Sequence, residues 1–511
     1  MKQLGTMTHA ISTYAEDLRA ERLLSHLVAA DDSDLARIEI RALSFDSRDI
    51  SPGTLFICKG RAFNKIYLER AVEAGAVAYV SETAYEDMAI PGLIVHDVRL
   101  SMATLSRRMY NNPQNELTLI GITGTKGKST TTRMMQQIMN CWQEKLGLPP
   151  VGVISSITYF DGVKETEAVL TTPEIPDLYR MLRTGVEAGL NYFIIEVSSQ
   201  ALKYDRLDGV RFATAAFLNI SEDHISPVEH PDFTDYLESK LRIFEHSDRL
   251  VFSLDTGESA KLKIAARGME YLTFSVRDNS ADLHCAEIQT DEDGLNLLVR
   301  QTNGADLSLR VNMAGRFNAE NALAAVALSD QLGVPTECVQ QGLADARADG
   351  RMEIIRSADE PIAVIVDFAH NTLSWDYLAS TAAELFPDRD LIYVGGVAGG
   401  KALNRRKDLG RFLGSGKIKK AYLTASNPGL ERTEDICEEI ISHIRPTSIP
   451  TEIIVDRDEA IGKAIADIEN PAVVLLAGQG AHTNMWIGRD LVKRKSDREV
   501  ATAALKRRRR K

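Results

Sequence analysis

A glycine-rich turn between an apolar run and a helical pattern is the feature that most constrains this chain. The segment GITGTKGKSTTTRMM spans residues 121–135 and begins within the apolar run LTLIGIT. Glycines let backbone N–H groups approach phosphate oxygens, a helix N-terminus favours negative charge, and a lysine and a hydroxyl can reach the outer phosphates and Mg²⁺. The spacing departs from the general phosphate loop, because Ile122 stands where its first glycine would be. The segment predicts a nucleoside triphosphate site built from Gly124, Thr125, Lys126, Gly127, Lys128, Ser129 and Thr130.

Length and the alternation of strand-like and helical segments predict the domain organisation. At roughly 150 residues per domain, the 511 residues make about three domains. A polar break at residues 111–116 and a second alternation of strands after Gly350 give predicted domains at 1–113, 114–348 and 349–511. The pattern predicts an α/β protein with a small mixed N-terminal domain, a central doubly wound sheet of the phosphate-loop type and a C-terminal Rossmann-like domain.

Charge and composition exclude several classes of protein. The net charge is −12 although the terminal KRRRRK supplies six positive charges, so the body is too acidic to attract nucleic acid. No run approaches the about 18 apolar residues of a membrane helix, and the N-terminus lacks the apolar region of a signal peptide. The five cysteines lie far apart in the sequence, so we expect them to be reduced thiols. We expect a cytoplasmic monomer whose basic tail is either solvated or binds RNA, acidic lipid or a partner.

Two strand ends carry candidate metal ligands. The run FIIEVSSQ places Glu196 at the carboxyl end of an apolar strand, and FLNISEDH places Asp223 and His224 at the end of the next one. Ligands of doubly wound sheets bind at this edge. Together with the Ser129 hydroxyl, Glu196 and His224 therefore predict a Mg²⁺ site opposite the phosphate loop, although each residue alone is more typical of ordinary structure.

Eight segments in order resemble the Mur ligases, the ATP-dependent amide-forming enzymes of peptidoglycan precursor synthesis. They are GITGTKGKST, TTPEIPDLY, EVSSQAL, FLNISEDH, YLESKLRIF, GRFNAENALAA, GRMEII and DFAHN, and the similarity runs from FDSR to the GQG segment. The resemblance, greatest to the tripeptide-forming branch, implies that ATP phosphorylates the D-glutamate side chain of UDP-N-acetylmuramoyl-L-alanyl-D-glutamate. An amino acid's amine then attacks the acyl phosphate. This route is physically reasonable, because a carboxylate is a poor electrophile until its oxygen becomes a leaving group.

The resemblance also implies roles for individual residues. Lys128, Glu196, His224 and Lys240 are the implied catalytic group, with Lys240 carried as a CO₂-derived carbamate that joins Ser129, Glu196 and His224 at Mg²⁺. The implied ATP residues outside the loop are Asn318, Asn321, Arg351, Asp367 and His370. The implied nucleotide-sugar residues are Ser47, Thr171, Thr172, Ser198 and Arg206. Each of these could instead be a cap or a turn residue.

The segment that the resemblance assigns to the incoming amino acid is altered. Arg406 matches the arginine for the α-carboxylate, but Ser426, Asn427, Pro428 and Gly429 stand where diaminopimelate enzymes have DNPR. Without that arginine, a second carboxylate loses its partner. Lysine enzymes have an acid at position 426, which is also missing, and the usual GKGHE segment reads GQGAH. We predict L-lysine, with ornithine and meso-diaminopimelate as alternatives.

Three other functions stay open on the sequence. A folylpolyglutamate synthetase shares the last two domains, but the FDSR and TTPE segments argue against it. A non-catalytic relative would not need Lys128, Glu196, His224 and Lys240 together. A motion-coupled ATPase would be expected to show a pair of acids at a strand end, which we do not find.

Overall fold

The computed structural model describes residues 8–28, 35–60, 63–223, 225–226, 229–291, 293–302, 304–347, 350–357, 362–400 and 403–508. Within these ranges the chain forms three large sheets of five, eleven and six strands, which follow one another along the sequence. Helices cover the sheets, which confirms the predicted three-part α/β fold. The predicted domain boundaries stay predictions.

The N-terminal sheet has the strand order Leu24–Val28, Gly92–Val95, Ala76–Ser81, Thr54–Ile57 and Ala42–Ser44. Its first pair is antiparallel and the others are parallel. A short antiparallel pair, His9–Ala10 and Glu39–Ile40, lies beside it. The helices are Ile11–Ala20, Lys65–Glu73 and Val98–Met109.

The central sheet carries the phosphate loop on its fifth strand in spatial order. The order is Glu165–Glu167, Thr158–Phe160, Gly152–Ile154, Tyr192–Glu196, Thr118–Thr123, Thr214–Phe217, Arg249–Ser253, Glu270–Ser275, Leu283–Asp291, Gly294–Gln301 and Leu307–Val311. The α-helices are Lys128–Lys145, Ile175–Glu187, Ser199–Lys203, Phe233–Leu241, Ser259–Ala265, Asn318–Gln331 and Thr336–Asp345, and short 3₁₀ turns lie at Pro113–Asn115 and Arg242–Phe244. The strands from Gly152–Ile154 to Leu283–Asp291 are parallel, so the ends of Tyr192–Glu196, Thr118–Thr123 and Thr214–Phe217 meet at one edge.

The C-terminal sheet has the order Glu353–Arg356, Ile362–Asp367, Ala472–Ala477, Asp390–Gly395, Lys420–Leu423 and Thr451–Ile453. Its first strand is antiparallel and the remaining five are parallel. The helices are Thr372–Leu385, Asn404–Leu413, Thr433–Ser442, Arg457–Ala466 and Asp497–Arg508, and a hairpin is formed by Asn484–Ile487 and Asp490–Lys493.

Apolar strands buried on both faces explain these layers. Five of the six residues of Thr118–Thr123 are buried, as is typical of a parallel strand between two helical layers. The helix Asn318–Gln331 is apolar around most of its surface, and it packs against the phosphate-loop helix Lys128–Lys145 through a shared cluster. This packing fixes where the phosphate-loop helix begins.

In the part of the chain that the structure describes, no helix is long and apolar enough to cross a membrane. The first three residues of the basic tail, Lys506–Arg508, belong to the last helix, and Arg508 donates to the backbone carbonyls of Ile465 and Ala466. That half of the tail is therefore folded. Residues 509–511 lie outside the described ranges.

Candidate active site

Hydrogen bonds to Asn219 fix the conformation of the phosphate loop. Gly124 and Gly127 have φ values of +151° and +87°, which glycine adopts without strain. The Thr125 and Lys126 N–H groups donate to the carbonyl and side-chain oxygens of Asn219 at 3.0 and 2.8 Å, and the Asn219 amide donates back to Lys126 O at 3.2 Å. Asn219 belongs to FLNISEDH, but its role in the loop could not be inferred from that segment alone.

Asn321 packs directly behind the loop. A Cβ on Gly127 would lie 2.2 Å from Asn321 Oδ1, the atom that accepts the Thr131 hydroxyl at 3.4 Å. The Asn321 amide donates to Asn318 Oδ1 at 3.0 Å, and Asn318 donates to Ala314 O at 2.7 Å. The structure thus brings both predicted asparagines to the loop, where they support it from behind.

Glu196 has the donor chemistry that a divalent cation requires. The residue is fully buried, its Oε2 accepts the Ser129 hydroxyl at 3.2 Å, and its Oε1 has no hydrogen-bond partner among the described residues. Burial raises the pKa of Glu196, while Lys128 and Arg351 oppose that shift. A buried, incompletely satisfied carboxylate beside a hydroxyl fits Mg²⁺, which takes hard oxygen ligands. His224 lies outside the described residues.

Lys240 and Lys128 converge on one backbone oxygen. The Lys240 and Lys128 Nζ atoms lie 3.0 and 2.9 Å from Gly124 O. Lys240 is 2% exposed, and its Nζ also lies 4.9 Å from the Tyr236 ring centroid. Burial, together with the charge of Lys128, lowers the pKa of Lys240 well below its ordinary value. The lowered pKa favours the neutral amine of Lys240, the form of lysine that can react with CO₂.

Three predicted residues of the C-terminal domain lie across the cleft from the loop. Arg351 donates to Ser129 Oγ at 3.4 Å, and its guanidinium lies 4.6 Å from the centroid of the Phe368 ring. Asp367 accepts the Met352 N–H at 2.8 Å. His370 Nδ1 lies 2.7 Å from Phe368 O, and since a carbonyl only accepts, Nδ1 carries the proton. Burial lowers the pKa of His370 well below its ordinary value, so the ring is neutral.

The cleft between these groups holds a cavity of about 180 Å³. Its lining includes the loop residues Thr125–Thr130, Thr171 and the three C-terminal residues just described. Lys126, Lys128 and Arg351 bring three basic groups to it beside the carboxylates of Asp223 and Asp367, and burial lowers the pKa of Lys126 to about 8. Clustered cations with backbone N–H groups and a helix start suit a polyphosphate.

Four of the five predicted nucleotide-sugar residues lie around the carboxyl end of strand Tyr192–Glu196. Thr171 is half-buried at the cleft. The Thr172 hydroxyl donates to Glu196 O at 2.8 Å and accepts the Ser198 N–H at 3.0 Å, while Arg206 donates to Thr172 O at 3.1 Å. Ser47 is half-buried in the turn after strand Ala42–Ser44 of the N-terminal sheet.

Lys59 and Glu174, which the sequence analysis did not single out, connect these groups. Glu174 pairs with Arg206 at 2.8 Å and with Lys59 of the N-terminal domain at 2.5 Å. Two cations face one carboxylate, so the junction of the first two domains carries positive charge. The TTPE segment contained the signal for Glu174, but nothing in the sequence paired it with Lys59.

The predicted amino-acid residues divide between two environments. Ser426 is buried and accepts the Gln479 amide at 3.2 Å, so the two positions that depart from the family motifs contact each other. Asn427 accepts the Trp486 N–H at 2.9 Å, and Gly429 N–H donates to Trp486 O at 3.1 Å. These contacts tie the loop to the hairpin Asn484–Ile487 and Asp490–Lys493.

Arg406 is already paired within the protein. Its two η nitrogens donate to Glu431 at 2.7 Å and to Glu439 at 2.6 Å, and its side chain is 7% exposed. To receive an α-carboxylate, as predicted, Arg406 would have to release one of these partners. Its neighbour Arg405 reaches the cleft, where it donates to Asp223 at 3.0 Å.

Two family models match the chain, the Mur ligase middle domain over residues 122–329 and the Mur ligase, glutamate ligase domain over residues 350–480. The chain belongs to the Mur ligase family. This confirms the resemblance drawn from the motifs, and with it the predicted enzyme class, an ATP-dependent carboxylate–amine ligase.

Similar proteins cover almost all of this Mur ligase. The chain is 38% identical over 487 residues to UDP-N-acetylmuramoyl-L-alanyl-D-glutamate–L-lysine ligase of Enterococcus faecalis, covering 93% of this chain and 94% of that one. It is 36% identical over 472 residues to the enzyme of the same name from Streptococcus agalactiae, covering 92% and 93%. The solved UDP-N-acetylmuramoyl-L-alanyl-D-glutamate–2,6-diaminopimelate ligase shares the fold, with a TM-score of 0.63 at 22% identity over 98% of this chain and 100% of that one.

Proposed function

We propose that this Mur ligase adds L-lysine to the D-glutamate of UDP-N-acetylmuramoyl-L-alanyl-D-glutamate, with ATP and Mg²⁺, during peptidoglycan precursor synthesis in the cytoplasm. One observation carries the proposal: the phosphate loop that lines the cleft contacts the incompletely satisfied Glu196 carboxylate through the Ser129 hydroxyl and the buried Lys240 amine through Gly124 O. Lysine-adding relatives that match nearly the whole chain support the substrate. We propose that the enzyme acts as a monomer.

The residues of the cleft suit transfer of a phosphoryl group to a carboxylate. Two anions must meet in this reaction, and Lys128 and Arg351 are placed to neutralise the charge that develops between them. The substrate's carboxylate takes the phosphoryl group and ADP leaves. The amine of the amino acid then attacks the acyl carbon, and phosphate departs as the amide forms.

Ser129, Glu196, His224 and carbamylated Lys240 are the residues that would hold Mg²⁺. When bound, the ion would neutralise phosphate charge and orient the phosphoryl oxygens. The neutral Lys240 amine would add to CO₂ with loss of a proton, which replaces a potential cation by an anion. That anion would attract the Lys128 ammonium, whose Nζ contacts the same Gly124 O.

The charge around Arg406 favours lysine over diaminopimelate. Arg406 brings one positive charge, whereas Glu431 and Glu439 bring two negative charges and are about two-fifths exposed. The surplus negative charge attracts a side-chain ammonium and repels a second carboxylate. Glu431 also accepts the Gly400 N–H, which ties it to the loop after strand Asp390–Gly395. We therefore assign the ammonium to Glu431, which replaces the acid missing at Ser426.

The test is phosphate release from ATP and Mg²⁺ in the presence of UDP-N-acetylmuramoyl-L-alanyl-D-glutamate. L-lysine, L-ornithine, meso-diaminopimelate and L-glutamate are added in separate reactions. We expect turnover with lysine. Turnover with diaminopimelate alone would reject the substrate assignment but keep the ligase, and no turnover with any of the four would reject the proposed function.

A further inference from the structure

A buried carboxylate, Asp223, joins the phosphate loop to two segments of the C-terminal domain. Its Oδ2 lies 3.4 Å from Lys126 Nζ and accepts the Asn371 side-chain amide at 2.8 Å. Its Oδ1 accepts from Arg405 at 3.0 Å. The Asp223 side chain is only 5% exposed. The contacts with Asn371 and Arg405 span 148 and 182 residues of sequence, so they depend on how the two sheets face each other.

Both C-terminal contacts of Asp223 come from helix N-termini. Asn371 is the N-cap of helix Thr372–Leu385, where its Oδ1 accepts the Ser374 N–H while its amide donates to Asp223. Arg405 is the second residue of helix Asn404–Leu413. A carboxylate is stabilised near helix N-termini as well as by its direct partners. Asp223 thus contacts two helices of the C-terminal domain from the central one.

These two helices adjoin the segments of the C-terminal domain that are predicted to bind ATP and the amino acid. Helix Thr372–Leu385 begins directly after the DFAHN segment with Asp367 and His370, and helix Asn404–Leu413 follows the loop that contains Gly399 and Gly400. Gly399 N–H donates to Asn427 O at 3.1 Å, which joins that loop to the altered amino-acid segment. Movement at Asp223 would therefore shift both the ATP side and the amino-acid side of the domain.

We propose that Asp223 is a positioning residue that latches the C-terminal domain over the phosphate loop. Lys126 couples this latch to the loop, so that occupation of the loop by phosphates and seating of the amino-acid domain are linked. Arg405 and Asn371 are the partners of Asp223 on the C-terminal domain. The proposal rests on the ligase function but not on which amino acid is added.

A double-mutant cycle tests the pair. Asp223→Asn and Arg405→Gln are each expected to lower kcat/KM for the amino acid about tenfold or more, and the double variant is expected to be little worse than either single variant. Lys407→Gln, at an exposed position two residues further along the same helix, is the matched control and should change kcat/KM less than twofold. Additive losses would overturn the proposal, because they would mean that the two residues act separately.

A conformational readout separates the latch from a local effect of Asp223 on its neighbour His224. Small-angle scattering of the wild type, with a non-hydrolysable ATP analogue and the nucleotide sugar, should show compaction, and Arg405→Gln should reduce it. Asn371→Ser is the second variant, because serine keeps an N-cap oxygen but loses the amide that reaches Asp223. Full compaction in both variants would overturn the latch. This readout needs no turnover, so a wrong amino-acid assignment leaves it interpretable.

Discussion

The lowered pKa of Lys240 comes from its position in the fold. Burial and the nearby charge of Lys128 disfavour its protonated form, although lysine is one of the residues least often buried. The YLESKLRIF segment predicted which lysine to consider. The physical reason for its lowered pKa is burial beside Lys128, which lies more than a hundred residues away in the sequence.

Lys240→Ala should lower ligase activity about 10- to 100-fold, since a carbamate that orients the metal is lost. Formate or acetate should restore part of the activity by supplying the missing carboxylate. Steady-state phosphate release with and without these acids measures the effect, and Lys263→Ala, an exposed helix lysine, serves as the control. Full activity in the untreated Lys240→Ala enzyme would exclude the carbamate.

Glu431→Gln should weaken the selection of lysine by removing one negative charge beside Arg406. We expect kcat/KM for L-lysine to fall about 10- to 100-fold, the range of a lost charged hydrogen bond, while that for L-norleucine, which lacks the ammonium, is unchanged. Glu439→Gln, the other carboxylate on Arg406, should have a smaller effect. Equal losses with both amino acids would show instead that Glu431 only shapes the loop.

At the scale of elements, the phosphate-loop helix depends on a glycine for two reasons. Gly127 has a positive φ and leaves room for Asn321. The sequence predicted the loop because its residues are contiguous and their geometry is local. It could not show that Asn321, about 190 residues later, packs against the loop from behind.

Gly127→Ala should raise the KM for ATP at least tenfold, because the added methyl group must displace Asn321 Oδ1. Gly147→Ala is the matched control: it also has a positive φ, of +67°, but its Cβ would meet no atom within 4 Å. That control should lose only about 1 kcal/mol of stability. Similar KM values for ATP in the two variants would mean that the close contact between Gly127 and Asn321 does not matter for ATP binding.

The last helix, Asp497–Arg508, is anchored by a buried ion pair. Asp497 accepts from Arg457 at 2.9 and 2.6 Å, and both side chains are almost fully buried. Arg457 also donates to Ala477 O, at the end of the strand that precedes the GQG segment. The anchor therefore joins the C-terminal helix to the edge of the sheet where the substrates are expected.

Asp497→Asn should destabilise the protein by about 3 kcal/mol, since it leaves the charge of Arg457 buried and unpaired. Asp458→Asn, at an exposed partner of Arg494, should cost less than about 1 kcal/mol.

Although burial raises the pKa of Asp497, the charge of Arg457 lowers it below 3.8 overall. This contribution to stability is therefore present above pH 3.8 and is lost as the pH falls through the lower folded-state pKa. Urea unfolding at neutral and acidic pH measures both effects, and equal stabilities of the two variants would contradict the anchor.

On the scale of the whole molecule, the reaction groups belong to different sheets. The loop, Glu196 and Lys240 belong to the part of the chain built around the central sheet, whereas Arg351, Asp367 and the amino-acid segment belong to the part built around the C-terminal sheet. Binding at one sheet must therefore change affinity at the other if both close on the same cleft. By thermodynamic linkage the effect is reciprocal.

With the nucleotide sugar present throughout, L-lysine should bind at least about fivefold more tightly when a non-hydrolysable ATP analogue is also present. Isothermal titration calorimetry measures this, and the ATP analogue should gain the same factor when lysine is added. Equal lysine affinities with and without the ATP analogue would show that the two sheets act independently.

The sequence by itself determined the fold class, the phosphate loop, the family and the enzyme class. Those features are encoded in contiguous motifs and in strand–helix alternation, whose geometry is set by neighbouring residues. Tertiary structure decided which groups meet: Lys240 with Lys128, Gln479 with Ser426, and Lys59 with Glu174. The contrast is clearest at Arg405 and Arg406. Consecutive residues of a helix point about 100° apart, so one arginine reaches Asp223 at the cleft and the other pairs with Glu431 and Glu439. Only the tertiary position of helix Asn404–Leu413 determines which of the two arginines lies at the cleft.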